Sequence, residues 1–227
     1  IVGVALPDII RDLNMNITDA QWVNSLYAVL LAALLLSTGR LSDRWGRKRL
    51  FLVGIVIFIG GSILAAMSDA SGPLIAARAV QAVGAALIMP STLSTVNATF
   101  RGKYRATAFG VWGAVISGAA AIGPLAGGAL TQWGSWEWIF LVNIPLGAIV
   151  FVAAIFTVKE TRGGKALPGA DVDGALLSAI GFGALVFAVI EGPEIGWWVP
   201  KADLHIFGLT WPTTAPIWKF CWPITCL

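Results

Sequence analysis

Charge is what this sequence has least of. Asp, Glu, Lys and Arg make up only 12% of its 227 residues, about half the roughly 25% share of a soluble domain. With 57% hydrophobic residues and a mean hydropathy of +0.81, this is a membrane composition. Histidine occurs once, at His205, and the two cysteines, Cys221 and Cys226, fall in the last seven residues. A disulfide framework and a spaced His/Cys metal cluster therefore have no residues to build them. A Walker-type phosphate loop and a nucleophile constellation are lacking as well. The sequence thus indicates no cofactor, no metal and no enzyme. An initiator Met and a signal-peptide pattern are missing too, so the expectation is a piece of a truncated or frameshifted gene, beginning inside a helix.

What the chain does have is apolar runs, 26 glycines and basic residues gathered in short stretches. Glycine is frequent in transmembrane helices, where it lets backbones approach closely. Uncharged runs at 20–39 and 50–68 each reach about 30 Å as a helix, enough for one crossing. Further spans are predicted at 74–96 (interrupted only by Arg78), 106–130, 139–158 and 174–190, after a partial first helix at 1–10. A polar turn at 11–19 carries a helix-cap signal at Thr18. Three basic loops, at 39–50, 101–105 and 159–173, hold eleven of the fifteen Lys and Arg. The intervening turns hold Arg11 beside Asp8, Asp12, Asp19, Asp69 and Glu137. The positive-inside rule makes the basic loops cytoplasmic, so the basic pI reflects topology and not a nucleic-acid stripe. Trp133, Trp136 and Trp138, and later Trp197 and Trp198, fall where an outer aromatic belt would sit. The predicted division is a transmembrane bundle at 1–158, a cytoplasmic loop at 159–173, a seventh transmembrane helix at 174–190 and an external irregular tail at 191–227. Proline at 212, 216 and 223 breaks the tail into pieces too short to span.

Three patterns carry chemistry. The first is Gly39, Asp43, Arg44, Gly46, Arg47, Lys48. Gly39 and Gly46 would permit a tight turn, and Asp43 among cations can form charge-assisted bonds that hold or release a neighbouring element. A plain positive-inside anchor would use the same basic residues. The second is Arg78 with Gln81 and Gly84. An Arg within an apolar span costs roughly 2.5–3.5 kcal/mol on insertion scales, so it faces a cavity or a partner, or it snorkels to the nearby interface. The third is Gly123, Pro124, Gly127 and Gly128, where Pro would kink the helix and small residues would allow close packing.

Together these patterns resemble those of the major facilitator superfamily. The first is similar to the signature between its second and third helices, and the second to a fourth-helix signature whose Arg is implicated in proton coupling. The third resembles the fifth-helix motif of its antiporters. The stretch from Ile1 to Pro7, and Trp136-Glu137-Trp138-Ile139-Phe140 followed by Asn143-Ile144-Pro145, resemble the 14-helix drug:proton antiporter group. Gly3 stands where that group usually has Asn, and Glu137 where it usually has Arg. The group's membrane-embedded Asp would lie upstream of Ile1. The resemblance covers residues 1–198 and implies an all-α transmembrane protein: the N-terminal six-helix half of a major-facilitator fold plus one further helix and an irregular tail, without the second half. No match to an eighth helix is visible, and 218–227 is out of character with the rest.

The implied function is export of lipophilic or cationic compounds in exchange for protons, from a multi-pass position in a bacterial inner membrane. The implied partners are a small-molecule substrate, protons, the lipid bilayer and the missing C-terminal half, with no nucleic acid. Asp43 and Arg44 would bias the rocking of two halves, Arg78 and Gln81 would serve proton coupling, and the fifth helix would flex. Trp22, Asn24, Tyr27 and Trp112 are candidate cavity residues, and equally ordinary packing residues. The alternatives are a transporter of another small solute and a non-transporting membrane fragment.

Overall fold

A computed structural model describes residues 2–161, seven helical positions between 177 and 189, and two short strands. Helix α1 (Val2–Asp12) stops in a tight C-terminal wrap, with Asn14 at φ 47° and the Met15 N–H reaching the Ile10 carbonyl at 3.0 Å. A left-handed residue followed by that bond satisfies one of the carbonyls a helix end leaves open. Helix α2 (Ile17–Trp45) opens on Asn16, whose side chain accepts from the Asp19 N–H at 2.7 Å. The cap is thus Asn16 and not Thr18, which falls inside the first turn.

Helix α2 does not end at Gly39. It runs on to Trp45, and α3 (Arg47–Ala66) begins one residue later. The expected basic loop is therefore two helix ends joined at Gly46, and Gly39 lies inside α2 with Pro90 Cβ 3.9 Å from where its own Cβ would stand. Helices α4 (Ser71–Thr99) and α5 (Lys103–Trp133) follow, then a short α6 (Trp138–Leu141) continued by α7 (Asn143–Thr157). Among the described residues, four stretches are long and apolar enough to cross a membrane: α3, α4, α5 and the α6–α7 pair. A fifth is counted if the bent halves of α2, Asp19–Leu35 and Ser37–Asp43, are taken as one. The expected span at 174–190 lies mostly outside the described residues; its described positions are helical. In the tail, β1 (Leu204–Ile206) pairs antiparallel with β2 (Leu209–Trp211). That short hairpin includes His205; the rest of the expected irregular tail at 191–227 lies outside the described residues.

The tightest packing joins α3 to α4. A Cβ on Gly84 would lie 2.6 Å from Phe58 N and 2.8 Å from Gly54 O. Backbone therefore meets backbone, the close approach that small residues permit between membrane helices. Helix α2 packs on the other side of α4. Pro90 has no N–H, so the Ala86 carbonyl one turn back lacks its usual donor. Thr38 of α2 donates to that carbonyl at 2.6 Å, and Ser42 Oγ lies 3.2 Å from Ser91 Oγ one turn further on.

The apolar core gathers Ile9, Met15, Val23, Leu74, Ile139 and Phe140 at the end of the bundle away from the α2–α3 joint. Trp136 is buried there, donating to Asp12 Oδ2 at 2.6 Å and meeting Phe140 edge-on with ring centres 6.2 Å apart. It packs in the core and is not part of an interfacial belt. Trp133 and Trp138 are exposed, at 87% and 52%. Trp197 and Trp198 lie outside the described residues.

Candidate functional site

The basic joint is built by Gly46. Its φ of 106° lies where residues with a Cβ are strained, and a Cβ there would fall 2.5 Å from Glu160 Oε1. The φ is what selects glycine; the Glu160 carboxylate, at the end of a flexible side chain, would only have to shift. The turn lets Arg47 reach back: its Nε and Nη2 donate to Asp43 Oδ1 at 3.1 and 2.8 Å, while Nη1 donates to the Ser94 carbonyl at 3.0 Å. Asp43 and Arg47 therefore tie α2, α3 and α4 together by charge-assisted bonds. The side chains of Arg40 and Arg44 lie outside the described residues.

Glu160, just beyond α7, completes the joint. Its Oε1 accepts the Lys48 backbone N–H at 3.2 Å, its Oε2 lies 3.9 Å from Arg49 Nε, and the Thr161 carbonyl accepts the Arg47 N–H at 3.0 Å. A carboxylate is favoured at the α3 N-terminus by the helix dipole. Reciprocally, Lys48 Nζ donates to the Ile155 carbonyl at 2.6 Å, in the last turn of α7. These bonds bring the 40–49 and 159–161 segments to one end of the bundle, the end towards which α4 runs before the Arg101–Arg105 cluster. Glu160 carries no role in the sequence patterns above; an acid directly after an apolar span, among cations, is the signal it offers.

The second candidate lies inside the bundle. Arg78 is 7% exposed on α4, so it faces partners and does not snorkel. Its Nε donates to the Val23 carbonyl at 3.2 Å, its Nη1 to Gln81 Oε1 at 2.8 Å, and its guanidinium stacks 4.2 Å from the centre of the Tyr27 ring. A desolvated cation over an aromatic face is stabilised by the ring quadrupole. Among the described residues no carboxylate lies within ion-pair distance of it. Gln81 passes the chain on, donating to Ser62 Oγ at 2.7 Å, which also accepts from Asn143 Nδ2 at 3.3 Å. Ser62 and Asn143 were not singled out by the sequence, where they read as filler in apolar spans.

The other candidates are dispersed. Trp22 and Asn24 are half-buried on α2, and Trp112 is half-buried on α5; Tyr27 is the one brought against Arg78. On α5, Gly127 is buried, Gly123 and Gly128 are half-buried and Pro124 is exposed. A Cβ on Gly128 would stand 3.8 Å from Val4 Cγ1 of α1, while one on Gly110, Gly113 or Gly118 would meet nothing within 4 Å. Near the C-terminal end of α5, Ala126, Leu130, Trp133 and Trp138 line an open apolar groove of about 570 Å³. Glu137 Oε2 is buried with no hydrogen-bond partner among the described residues.

The family model described as Major Facilitator Superfamily matches residues 1–222. The chain belongs to the Major Facilitator Superfamily. It is 38% identical over 201 residues to the methylenomycin A resistance protein of Bacillus subtilis, covering 88% of this chain and 43% of that protein. It is 40% identical over 205 residues to a puromycin resistance protein of Streptomyces alboniger, covering 88% of this chain and 40% of the relative. It is 38% identical over 224 residues to the multidrug resistance protein Stp of Mycobacterium tuberculosis, covering 98% and 41%. The chain thus spans about two fifths of the length of these curated superfamily relatives. A crystal structure of a mutant peptide transporter POT with sulfate shares the fold, with a TM-score of 0.65 at 22% identity over 86% of this chain and 42% of that one. The chain is accordingly a multi-pass, all-α membrane protein with part of a transporter fold.

Proposed function

We propose that the chain is the N-terminal six-helix half, with one further helix, of a drug-efflux transporter that exports lipophilic or cationic compounds in exchange for protons. The single observation that carries the exchange reading is Arg78. It is a buried cation in a membrane-spanning helix, held by neutral groups and an aromatic ring, with no carboxylate beside it among the described residues. Such charges inside membrane spans belong to ion and substrate pathways. The resistance proteins among the relatives support export as the direction and drugs as the substrate class. In this reading Gln81 keeps Arg78 in place and Tyr27 lies at the cavity. Asp43, Arg47, Lys48 and the glycine at 46 form a latch at the cytoplasmic end, the role the sequence pattern also gives to Arg44. The orientation follows from the basic residues gathered at that end. A second six-helix half would close the cavity and rock against this one, with Gly123, Pro124, Gly127 and Gly128 of α5 bending at the contact.

Inverted vesicles carrying the chain should take up a fluorescent lipophilic cation when a pH gradient is imposed and release it when the gradient is collapsed. Uptake equal to that of empty vesicles would reject transport by this chain. One observation favours that second reading, a non-transporting membrane fragment: only 6% of the most apolar window of α5 is buried, so nothing described closes that side.

A further inference from the structure

The polar chain around Arg78 has a direction, and the direction is set at its far end. Ser62 has one hydroxyl proton and two lone pairs. The proton goes to the Phe58 carbonyl at 2.9 Å, one turn back in α3. Its oxygen can then only accept, and it does so from Gln81 Nε2 at 2.7 Å and from Asn143 Nδ2 at 3.3 Å. The amide nitrogen of Gln81 is thereby held on Ser62, and its oxygen must face Arg78. A flipped Gln81 would set NH2 against guanidinium and oxygen against oxygen, two repulsions in a dry site where unmet polar groups cost most. Gln81 is 1% exposed and Ser62 fully buried, so water offers neither an alternative.

We propose that Ser62 and Asn143 are positioning residues that orient Gln81, and through it Arg78, for the exchange reaction. The functional part of this statement rests on the reading above. Asn143 opens α7, directly after the α6–α7 break, so it couples the orientation of Arg78 on α4 to the placement of α7. Four helices then meet in one chain: Val23 and Tyr27 from α2, Ser62 from α3, Arg78 and Gln81 from α4, and Asn143 from α7.

The test reads Arg78 itself, with or without transport. The full chain is labelled with 15N-arginine and placed in lipid nanodiscs, and the Arg78 Nε–H signal is assigned by its loss in Arg78→Lys. Hydrogen exchange of that proton is then compared among variants. Ser62→Ala should speed it about tenfold, the equivalent of one buried hydrogen bond. Ser62→Thr, which keeps the hydroxyl, should restore the wild-type rate, and Asn143→Leu should move it in the same direction as Ser62→Ala. Thr38→Val, the loss of another buried hydroxyl elsewhere, should leave it unchanged. Exchange within twofold of wild type in both Ser62→Ala and Asn143→Leu would overturn the proposal, as would an equal effect of Thr38→Val. If Ser62→Ala does not fold, Asn143→Leu decides alone. Where gradient-driven uptake is present, Ser62→Ala should also shift its pH profile while Ser62→Thr does not. Absence of uptake in every sample would count against the function proposed above and leave the exchange result standing.

Discussion

At the scale of single residues, small hydroxyls do work that their hydropathy conceals. Thr38 supplies the donor that Pro90 removes from α4, reaching the Ala86 carbonyl at 2.6 Å. Thr38→Val should therefore cost about 1 kcal/mol of unfolding free energy, in the range of a buried hydrogen bond in a membrane bundle. Pro90→Ala returns an N–H to Ala86, so in that background the same change should cost much less. A double-mutant cycle by reversible denaturant unfolding in detergent checks this; equal costs in both backgrounds would dismiss the replacement role. Such contacts were not legible in the sequence. Thr38, Ser62 and Ser91 sit in apolar runs with no charge to mark them, Ser42 is hidden among the charges of the basic stretch, and their value lies in which carbonyl or hydroxyl stands opposite. Arg78 was legible because a charge in an apolar run is expensive wherever it goes; that it is held by Gln81 and Tyr27, and not by the interface, needed the structure.

At the scale of elements, the spans were legible because their length and lack of charge leave few other fates for them. Their ends were harder. The basic stretch reads as a loop by composition, yet Arg40 and Arg44 are good helix formers, and although α2 bends near residue 36 it ends only at Gly46. Trp136 likewise reads as an interfacial aromatic until α1 is seen to bring Asp12 to its indole. Glycine content alone could not separate two different helices. In the α3–α4 pair, glycine is required by contact: Gly84→Ala places a methyl 2.6 Å from a backbone nitrogen and should lower stability by about 1–3 kcal/mol, as overpacking does. On α5, Gly110→Ala meets open space and should be neutral or slightly stabilising, since Ala favours helix over Gly by about 1 kcal/mol. Thermal unfolding of the two variants side by side checks the contrast, and equal losses would refute it.

At the scale of the molecule, the bundle is dense where α2, α3 and α4 meet and open along α5. The dense part holds the buried cation, and the joint with Glu160 fixes the ends of α2, α3 and α7 at one face. Among the described residues α5 is largely uncovered; under the proposed transporter reading that is the side a second body would cover, and under the fragment reading it stays open. The central claim is that Arg78 is kept for exchange and not for stability. Replacing a whole buried polar set by apolar side chains is often neutral or stabilising, whereas Arg78→Met alone leaves Gln81 Oε1 and the Val23 carbonyl without their donor. The decisive measurement pairs the unfolding temperature with gradient-driven uptake of a lipophilic cation for Arg78→Met against wild type. The account predicts a folded protein whose unfolding temperature falls by no more than the loss of those bonds, with uptake reduced to the level of empty vesicles. Wild-type uptake in Arg78→Met, with or without a loss of stability, would contradict it.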